Sequence, residues 1–241
     1  MANYYFLATL LPQLEIGIPP DLDYHELSSL LKINLTDADF KKVETIRRYF
    51  DIQNLRSFWR EEPLNFRGNL NENELEEALL TQSGLPGYVF EFEERFEKIP
   101  DRLHHFASLI TSYFNEEIQN SEGFVLKYLR FERDLRLVLT GLRAKKMKSD
   151  ILVELQYEDP EDPLVAQMIA QKDSNEYIPP EEYEEVKVLF DEYSDRPIEL
   201  HKALSEYRFY KIDQLAGLGM FSIDCILAYM IKLTIVEKWL E

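Results

Sequence analysis

The chain has 241 residues, of which 45% are hydrophobic and only eight are glycine, a composition typical of a globular helical protein with few tight turns. Its 45 acidic and 27 basic side chains give a net charge of −18, which argues against general nucleic-acid binding because most of the surface would repel phosphate. The single cysteine, Cys225, excludes an internal disulfide, and no apolar segment approaches the roughly 20 residues of a membrane-spanning helix.

The first half of the chain predicts helices separated by polar or proline-containing segments. Residues 4–11 are apolar and fit either a buried strand or a short helix, because periodicity cannot separate the two. Thr36 and Asn71 each precede a helical pattern and are the expected N-caps. Helices are predicted over residues 21–32, 36–59, 71–84, 86–100 and 101–120.

The second half begins with a long basic helix, predicted over residues 124–148. Residues 159–180 contain four prolines and a polar stretch, and are predicted to connect two helical parts, 1–158 and 181–241, which could also form one domain. Further helices are predicted over residues 164–171, 181–193, 197–215 and 222–240. The pattern predicts an all-α protein, a bundle of about nine or ten helices.

The basic helix is the most unusual segment of this acidic chain. Its eight basic and two acidic side chains give it a charge of +6 and leave −24 for the remainder. Apolar residues recur at spacings of four and three and form a hydrophobic seam expected to pack on other helices. The seam consists of Phe124, Tyr128, Phe131, Leu135, Val138 and Leu142.

The basic side chains of this helix are the candidate partner-binding residues. Helical geometry places three arginines 120–180° from the centre of the seam, on the predicted outer face. The candidates are Arg130, Arg133 and Arg136, followed by the cluster Arg143, Lys145, Lys146 and Lys148. Three interpretations remain open: a face for a partner protein, an ordinary charged face neutralised by acidic helices of the same fold, and a face for anionic lipid or nucleic acid.

No motif for catalysis, a cofactor or a metal emerges from the sequence. His104 and His105 are adjacent and would point about 100° apart on a helix, whereas two metal ligands on one face need a spacing of three or four. The phosphate-binding pattern GxxxxGK[ST] does not occur, and no serine or cysteine lies in a nucleophile context. We therefore expect no catalytic, cofactor-binding or metal-binding residues.

Two helices resemble a known family. The run Tyr128–Lys145, with its aromatic residues, Glu132, an Asp-Leu pair and the ending Leu-Arg-Ala-Lys, resembles a helix in the central-stalk subunit of V-type and A-type rotary ATPases, called C in prokaryotes and d in eukaryotes. The last helix, with Tyr229, Lys232 and Glu237, is similar to the closing helix of that family. The opening segment and the compact length resemble a bacterial branch of uncharacterised proteins associated with V-type ATPases.

The resemblance implies a non-catalytic socket that couples the rotor shaft to the membrane rotor ring during ion translocation. Its expected partners are the shaft subunits and the ring, and its expected location is cytoplasmic, at the inner face of the membrane through the complex. The resemblance also implies V-shaped helical lobes around a funnel. Two alternatives remain: a helical adaptor unrelated to rotary ATPases, and a helical enzyme with a buried polar pocket, which would need at least two convergent groups with shifted pKa.

Overall fold

The fold is all-helical, as predicted. The structure is a computed structural model that describes residues 4–217, 219 and 221–240, and every regular element of this part is a helix. It contains 13 α-helices and one short 3₁₀ helix, more than the nine or ten expected. The difference arises because residues 101–120 are divided at His105, and because short helices form at residues 5–10 and 151–154.

The helices in chain order are α1 Tyr5–Leu10, α2 Tyr24–Asn34, α3 Asp37–Trp59, α4 Glu72–Thr81, α5 Gly87–Arg95, α6 Ile99–His104, α7 Phe106–Gln119, α8 Gly123–Met147, α9 Ile151–Glu154, α10 Pro163–Ala170, α11 Glu184–Tyr193, α12 Pro197–Ala216 and α13 Ile223–Leu240. The 3₁₀ helix, Glu181–Tyr183, leads directly into α11.

Side-chain caps start several of these helices. Thr36 accepts a hydrogen bond from the backbone N–H of Asp39, and Asn71 accepts one from the N–H of Glu74, so both predicted N-caps are confirmed. Asp23 caps α2 in the same way and forms a complete capping box with Glu26. These contacts satisfy N–H groups that have no partner within the helix, and they fix where each helix begins.

The chain forms two compact units. The first unit comprises Met1–Leu35 and Leu126–Glu241, and the second comprises Thr36–Val125. In the first unit α12 packs on α11 and α13, and α2 packs on α13. Its main core contains residues of α8, α10, α11 and α12. The core also includes Val165, Met168 and Tyr177 from the predicted connection 159–180, so this segment lies inside the first unit and does not separate the two.

The second unit is built on the long helix α3. Helices α6 and α7 pack on α3, and α5 packs on α7. The core of this unit contains large side chains with almost no exposed surface, including Ile52, Leu55, Leu75, Leu109 and Tyr113. The segment between α3 and α4, predicted to be polar and irregular, contains no regular element.

Candidate partner-binding surface on helix α8

Helix α8 buries a wide apolar face. The hydrophobic seam is confirmed as core, because Phe124, Phe131, Leu135, Val138 and Leu142 are buried and Tyr128 is half-buried. Val125, Leu129, Leu137 and Ala144 are also buried, so the apolar face is broader than the seam. Helix α8 is therefore a central structural element with only a narrow strip left for a partner.

Arg133 and Arg136 do not lie on an open outer face, and this part of the prediction is wrong. The Arg136 Nη2 atom lies 2.5 Å from Oε1 of Glu158, and Arg133 Nη2 lies 2.9 Å from Oδ2 of Asp162 and 4.0 Å from Oε2 of Glu158. The side chain of Glu158 is only 4% exposed. Glu158 and the start of the 159–180 segment therefore cover this side of α8 and neutralise both arginines within the fold.

Lys145 is also engaged within the chain. Its Nζ atom donates to the carbonyl oxygens of Gln171 and Lys172, each at 2.7 Å, and of Ser174 at 2.8 Å. These carbonyls belong to the C-cap residue of α10, Gln171, and to the turn that follows it. The ammonium group supplies all three of its donors to them, so Lys145 joins α8 to the end of α10.

Lys146 forms a more exposed contact. Its Nζ atom donates to the Ser194 hydroxyl at 2.7 Å and pairs with the carboxylate of Asp195, just after α11. This pair lowers the pKa of the Asp195 carboxyl, chiefly through the hydrogen bond from Lys146. Because Asp195 is fully exposed, a partner surface could compete for either charge.

Arg130, Arg143 and Lys148 are exposed. Arg130 lies 13 residues before Arg143, which is about 20 Å along a helix that rises 1.5 Å per residue. The structure therefore does not bring the seven predicted residues together in one patch. Of the seven, three exposed residues lie within two turns at the C-terminal end of α8: Arg143, Lys146 and Lys148.

Lys148 ends α8 in an unusual conformation. Its φ is +55°, a left-handed value that glycine adopts more readily than lysine. Its N–H donates to the carbonyl of Lys145, and the next N–H, of Ser149, donates to the carbonyl of Ala144. This is the hydrogen-bond pattern of a Schellman motif, which turns the chain sharply into α9. The backbone of Lys148 is thereby fixed at the helix end.

A cleft of about 360 Å³ lies beside Arg133 in the first unit. Its lining includes the carboxylates of Asp134, Asp162 and Glu182 and the phenol of Tyr183. Burial raises the pKa of Asp134, an effect opposed by Arg133 at 3.0 Å, and burial also raises the pKa of Tyr183. Burial is the largest cause of both upward shifts, and neighbouring carboxylates add to it. Sequence reasoning did not single out this cleft.

The histidine pair has a structural role. His104 and His105 are in edge contact, with ring centroids 4.7 Å apart, and the ring of His105 stacks on Phe96 at 4.4 Å. Within residues 4–217, 219 and 221–240, no group of three or more His, Cys, Asp or Glu side chains could hold a metal ion. Cys225 is half-buried rather than fully buried, and burial raises the pKa of its thiol.

The fold and the α8 surface define an all-helical protein with charged surfaces, and none of its described helices is long and apolar enough to cross a membrane. The chain belongs to the family described as "Protein of unknown function (DUF2764)", whose model matches residues 1–241.

Three relatives come from the genus Chlamydia, and each is described as an uncharacterized protein. The protein of Chlamydia muridarum is 32% identical over 234 residues, that of Chlamydia trachomatis serovar D is 31% identical over 234 residues, and that of Chlamydia pneumoniae is 33% identical over 235 residues. Each alignment covers 95% of this chain and 88% of the relative. No solved structure matches the chain.

Proposed function

We propose that this protein is a non-catalytic coupling subunit of a V-type rotary ATPase. In this role it joins the rotor shaft to the membrane rotor ring on the cytoplasmic side and transmits rotation during ion translocation. The observation that carries the proposal is the structure of α8. The residues that resemble the central-stalk subunit form one continuous helix, and polar side chains among them bind other segments of the first unit.

The contacts of these polar residues support a rigid transmitting body. Glu132 accepts two hydrogen bonds from Arg208 of α12, at 3.0 and 2.6 Å, while Lys145 binds the carbonyls after α10. A subunit that transmits torque through non-covalent contacts needs helices that do not slide past each other. Ion pairs between helices and a broad apolar core oppose such sliding.

The closing helix α13 supports the same proposal. Lys232 binds both carboxylate oxygens of Asp213 in α12, at 2.9 and 2.8 Å, and Glu237 accepts a hydrogen bond from the backbone N–H of Tyr24 at 2.9 Å. Burial raises the pKa of Tyr229 to about 12, so its phenol stays neutral at physiological pH. Lys232 and Glu237, two of the three residues that resemble the family's closing helix, thus hold α13 within the first unit.

Co-purification tests the proposal directly. The affinity-tagged full chain is isolated from membranes of the cell that makes it, under conditions in which the rotary complex stays whole. We expect shaft and ring subunits in amounts comparable to the tagged chain. Absence of both, from a preparation in which the rest of the complex is intact, would refute the proposal, and recovery of other partners would favour a helical adaptor unrelated to rotary ATPases.

A charge variant tests whether the basic side chains at the end of α8 contribute to binding beyond their effect on the net charge of the protein. We expect the double substitution Arg143→Ser and Lys148→Ser to weaken association with the complex by about tenfold, since charges at an interface rim typically contribute about 1 kcal/mol or more in total. The matched control, Lys32→Ser with Lys172→Ser, removes the same charge from exposed positions of the first unit. Equal weakening by both variants would assign the effect to net charge and not to the end of α8.

A further inference from the structure

The segment between α3 and α4 is held by side chains of α3. Arg47, Asp51 and Asn54 are spaced four and three residues apart, so they lie on one face of that helix. This face is turned toward residues 65–70, and all of these groups belong to the second unit. Asp51 is only 2% exposed and Asn54 only 1%, which is unusual for polar side chains.

Asn54 and Asp51 bind the backbone on both sides of Phe66. The Asn54 amide donates to the carbonyl of Asn65 at 2.9 Å and accepts from its N–H at 2.8 Å. One carboxylate oxygen of Asp51 accepts from the N–H of Asn69 at 2.6 Å and from that of Leu70 at 3.1 Å. Both buried polar groups are therefore satisfied by the backbone of this segment.

Arg47 and Gly68 complete this arrangement. Arg47 donates to the carbonyl of Arg67 at 3.0 Å and also to that of Gly68. A Cβ atom on Gly68 would lie 2.6 Å from Oδ1 of Asp51 and 2.9 Å from Nδ2 of Asn54, so only glycine fits against the two side chains. Burial raises the pKa of the Asp51 carboxyl, although its hydrogen bonds with Asn69 and Leu70 act to lower it. The effect of burial is the larger because the segment covers this side chain.

Phe66 lies in the middle of this fixed segment, yet the residue is 64% exposed. The guanidinium carbon of the buried Arg67 lies 4.9 Å from the centre of the ring. Large aromatic side chains contribute most of the binding free energy at many protein interfaces. A backbone already fixed by α3 lowers the conformational entropy that is lost when such a side chain binds a partner.

Acidic side chains surround this aromatic residue in the sequence. Glu61, Glu62, Glu72 and Glu74 are exposed at the two ends of the segment, while Arg60 is paired with Glu62 at 3.3 Å. The fitting partner therefore offers an apolar pocket for a phenyl ring and basic residues around it. The same carboxylates repel an anionic lipid surface, and they would also repel each other between two copies of this chain.

We propose that Phe66 is the anchor of a docking surface for a partner protein with an apolar pocket and a basic rim. The surface comprises Phe66 and the flanking residues Glu61, Glu62, Glu72 and Glu74. It belongs to the second unit, whereas the end of α8 belongs to the first, and it does not depend on the identity of the complex proposed above.

Photo-crosslinking in the intact cell tests the surface. The full chain is produced with the photoreactive residue p-benzoylphenylalanine at position 66, and in a control at Leu80, which is 79% exposed on α4 of the same unit. We expect one protein crosslinked through position 66 and none through position 80, with the crosslink mapped to an apolar segment flanked by lysine or arginine. A lipid adduct, a crosslink to a second copy, or equal yields at both positions would overturn the proposal.

Affinity for the purified crosslinked protein provides the second measurement. Phe66→Ala should weaken binding about 30-fold, the effect of a strong interface anchor, whereas Leu80→Ala should change it less than about twofold. Binding should weaken as salt rises from 50 to 500 mM if the rim is basic. Unchanged affinity in Phe66→Ala would refute the anchor, and affinity independent of salt would refute the basic rim. A crosslinked partner unrelated to rotary ATPases would support this surface, and co-purification with shaft and ring subunits would still decide the proposed function separately.

Discussion

Lys148 occupies a position where helices usually carry glycine. It adopts φ of +55° at the end of α8, where the chain closes a Schellman motif before α9. A residue with a Cβ atom loses about 1 kcal/mol in this conformation relative to glycine. The charge of Lys148 at the C-terminal end of a helix offsets part of that cost, because the helix end carries partial negative charge.

Replacing Lys148 with glycine should therefore raise the free energy of unfolding by about 0.5–1 kcal/mol. The measurement is urea denaturation followed by circular dichroism. The matched control is Lys148→Ala, which removes the same charge but keeps the unfavourable φ and should give no increase. An equal gain from both variants would show that the charge, and not the backbone conformation, limits stability here.

Glu158 neutralises two positive charges of α8, those of Arg133 and Arg136. Its side chain is 4% exposed and lies next to the guanidinium groups of Arg133 and Arg136. Glu158→Gln keeps the shape but leaves two arginines without this buried carboxylate. We expect a loss of about 3 kcal/mol in unfolding free energy, the lower end for a broken buried ion pair because Arg136 is partly exposed.

The control for Glu158 is Glu161→Gln, an exposed carboxylate three residues later, which should change stability by less than about 0.5 kcal/mol. Both variants are compared by thermal and urea unfolding at the same pH. Similar small effects at both positions would mean that Asp134 and Asp162 suffice for Arg133 and that the exposed part of Arg136 is solvated well enough without Glu158.

At the scale of elements, Gly141 explains how the 159–180 segment packs on α8. A Cβ atom at this position would lie 2.8 Å from Cδ1 of Tyr177 and 3.0 Å from Cε of Met168. Both of these side chains are buried. Glycine normally weakens the interior of a helix, so its presence here is explained by the close approach of an aromatic ring.

Gly141→Ala should destabilise the first unit by about 1–3 kcal/mol, because overpacking exceeds the gain in helix propensity. The same substitution at Gly87, in the first position of α5, adds a Cβ atom that has nothing within 4 Å, so this control should be neutral or slightly stabilising. Thermal unfolding of both variants provides the comparison. Stabilisation by Gly141→Ala would indicate that Tyr177 can move away without cost.

The sequence predicted most helices because apolar residues recur every three to four positions where one face of a helix is buried. The hydrophobic seam of α8 and the caps Thr36 and Asn71 follow from such local rules. Arg133 and Arg136 were misplaced because the same rules give direction relative to the seam but not which distant segment covers it. The break at His105 was missed for a similar reason, since its ring stacks on Phe96 from outside the helix.

The contacts that hold the Phe66 segment could not be predicted from the sequence either. Its polar composition correctly indicated a region without regular structure. The contacts that fix it come from Arg47, Asp51 and Asn54 on α3, between 11 and 21 residues away in the chain. The helical pattern alone predicts that these three residues form an ordinary polar, solvent-facing side of an amphipathic helix.

At the scale of the whole molecule, the first unit is discontinuous in sequence. Residues from its N-terminal part contribute Leu7, Leu27 and Leu31 to the buried set. Tyr24 donates its backbone N–H to Glu237, which joins the start of α2 to α13. The second unit, by contrast, is a single stretch with its own core.

A fragment of residues 36–125 should therefore fold alone, with a helical circular dichroism spectrum and a cooperative thermal transition. The complementary fragment 126–241, which lacks residues 1–35, should show weak cooperativity and bind a hydrophobic dye. Adding residues 1–35 to this fragment through a flexible linker should restore its transition. A non-cooperative 36–125 fragment would contradict the assignment of an independent core.

The carbonyl oxygens that surround Lys145 have a consequence for chemical labelling. With its three donors directed at Gln171, Lys172 and Ser174, this amine is held against the backbone, whereas Lys148 extends from the same helix into solvent. An acylating reagent must displace three acceptors to reach Lys145. Mass spectrometry should therefore detect modification of Lys148 early and of Lys145 late, and loss of this order would mark local opening around the end of α10.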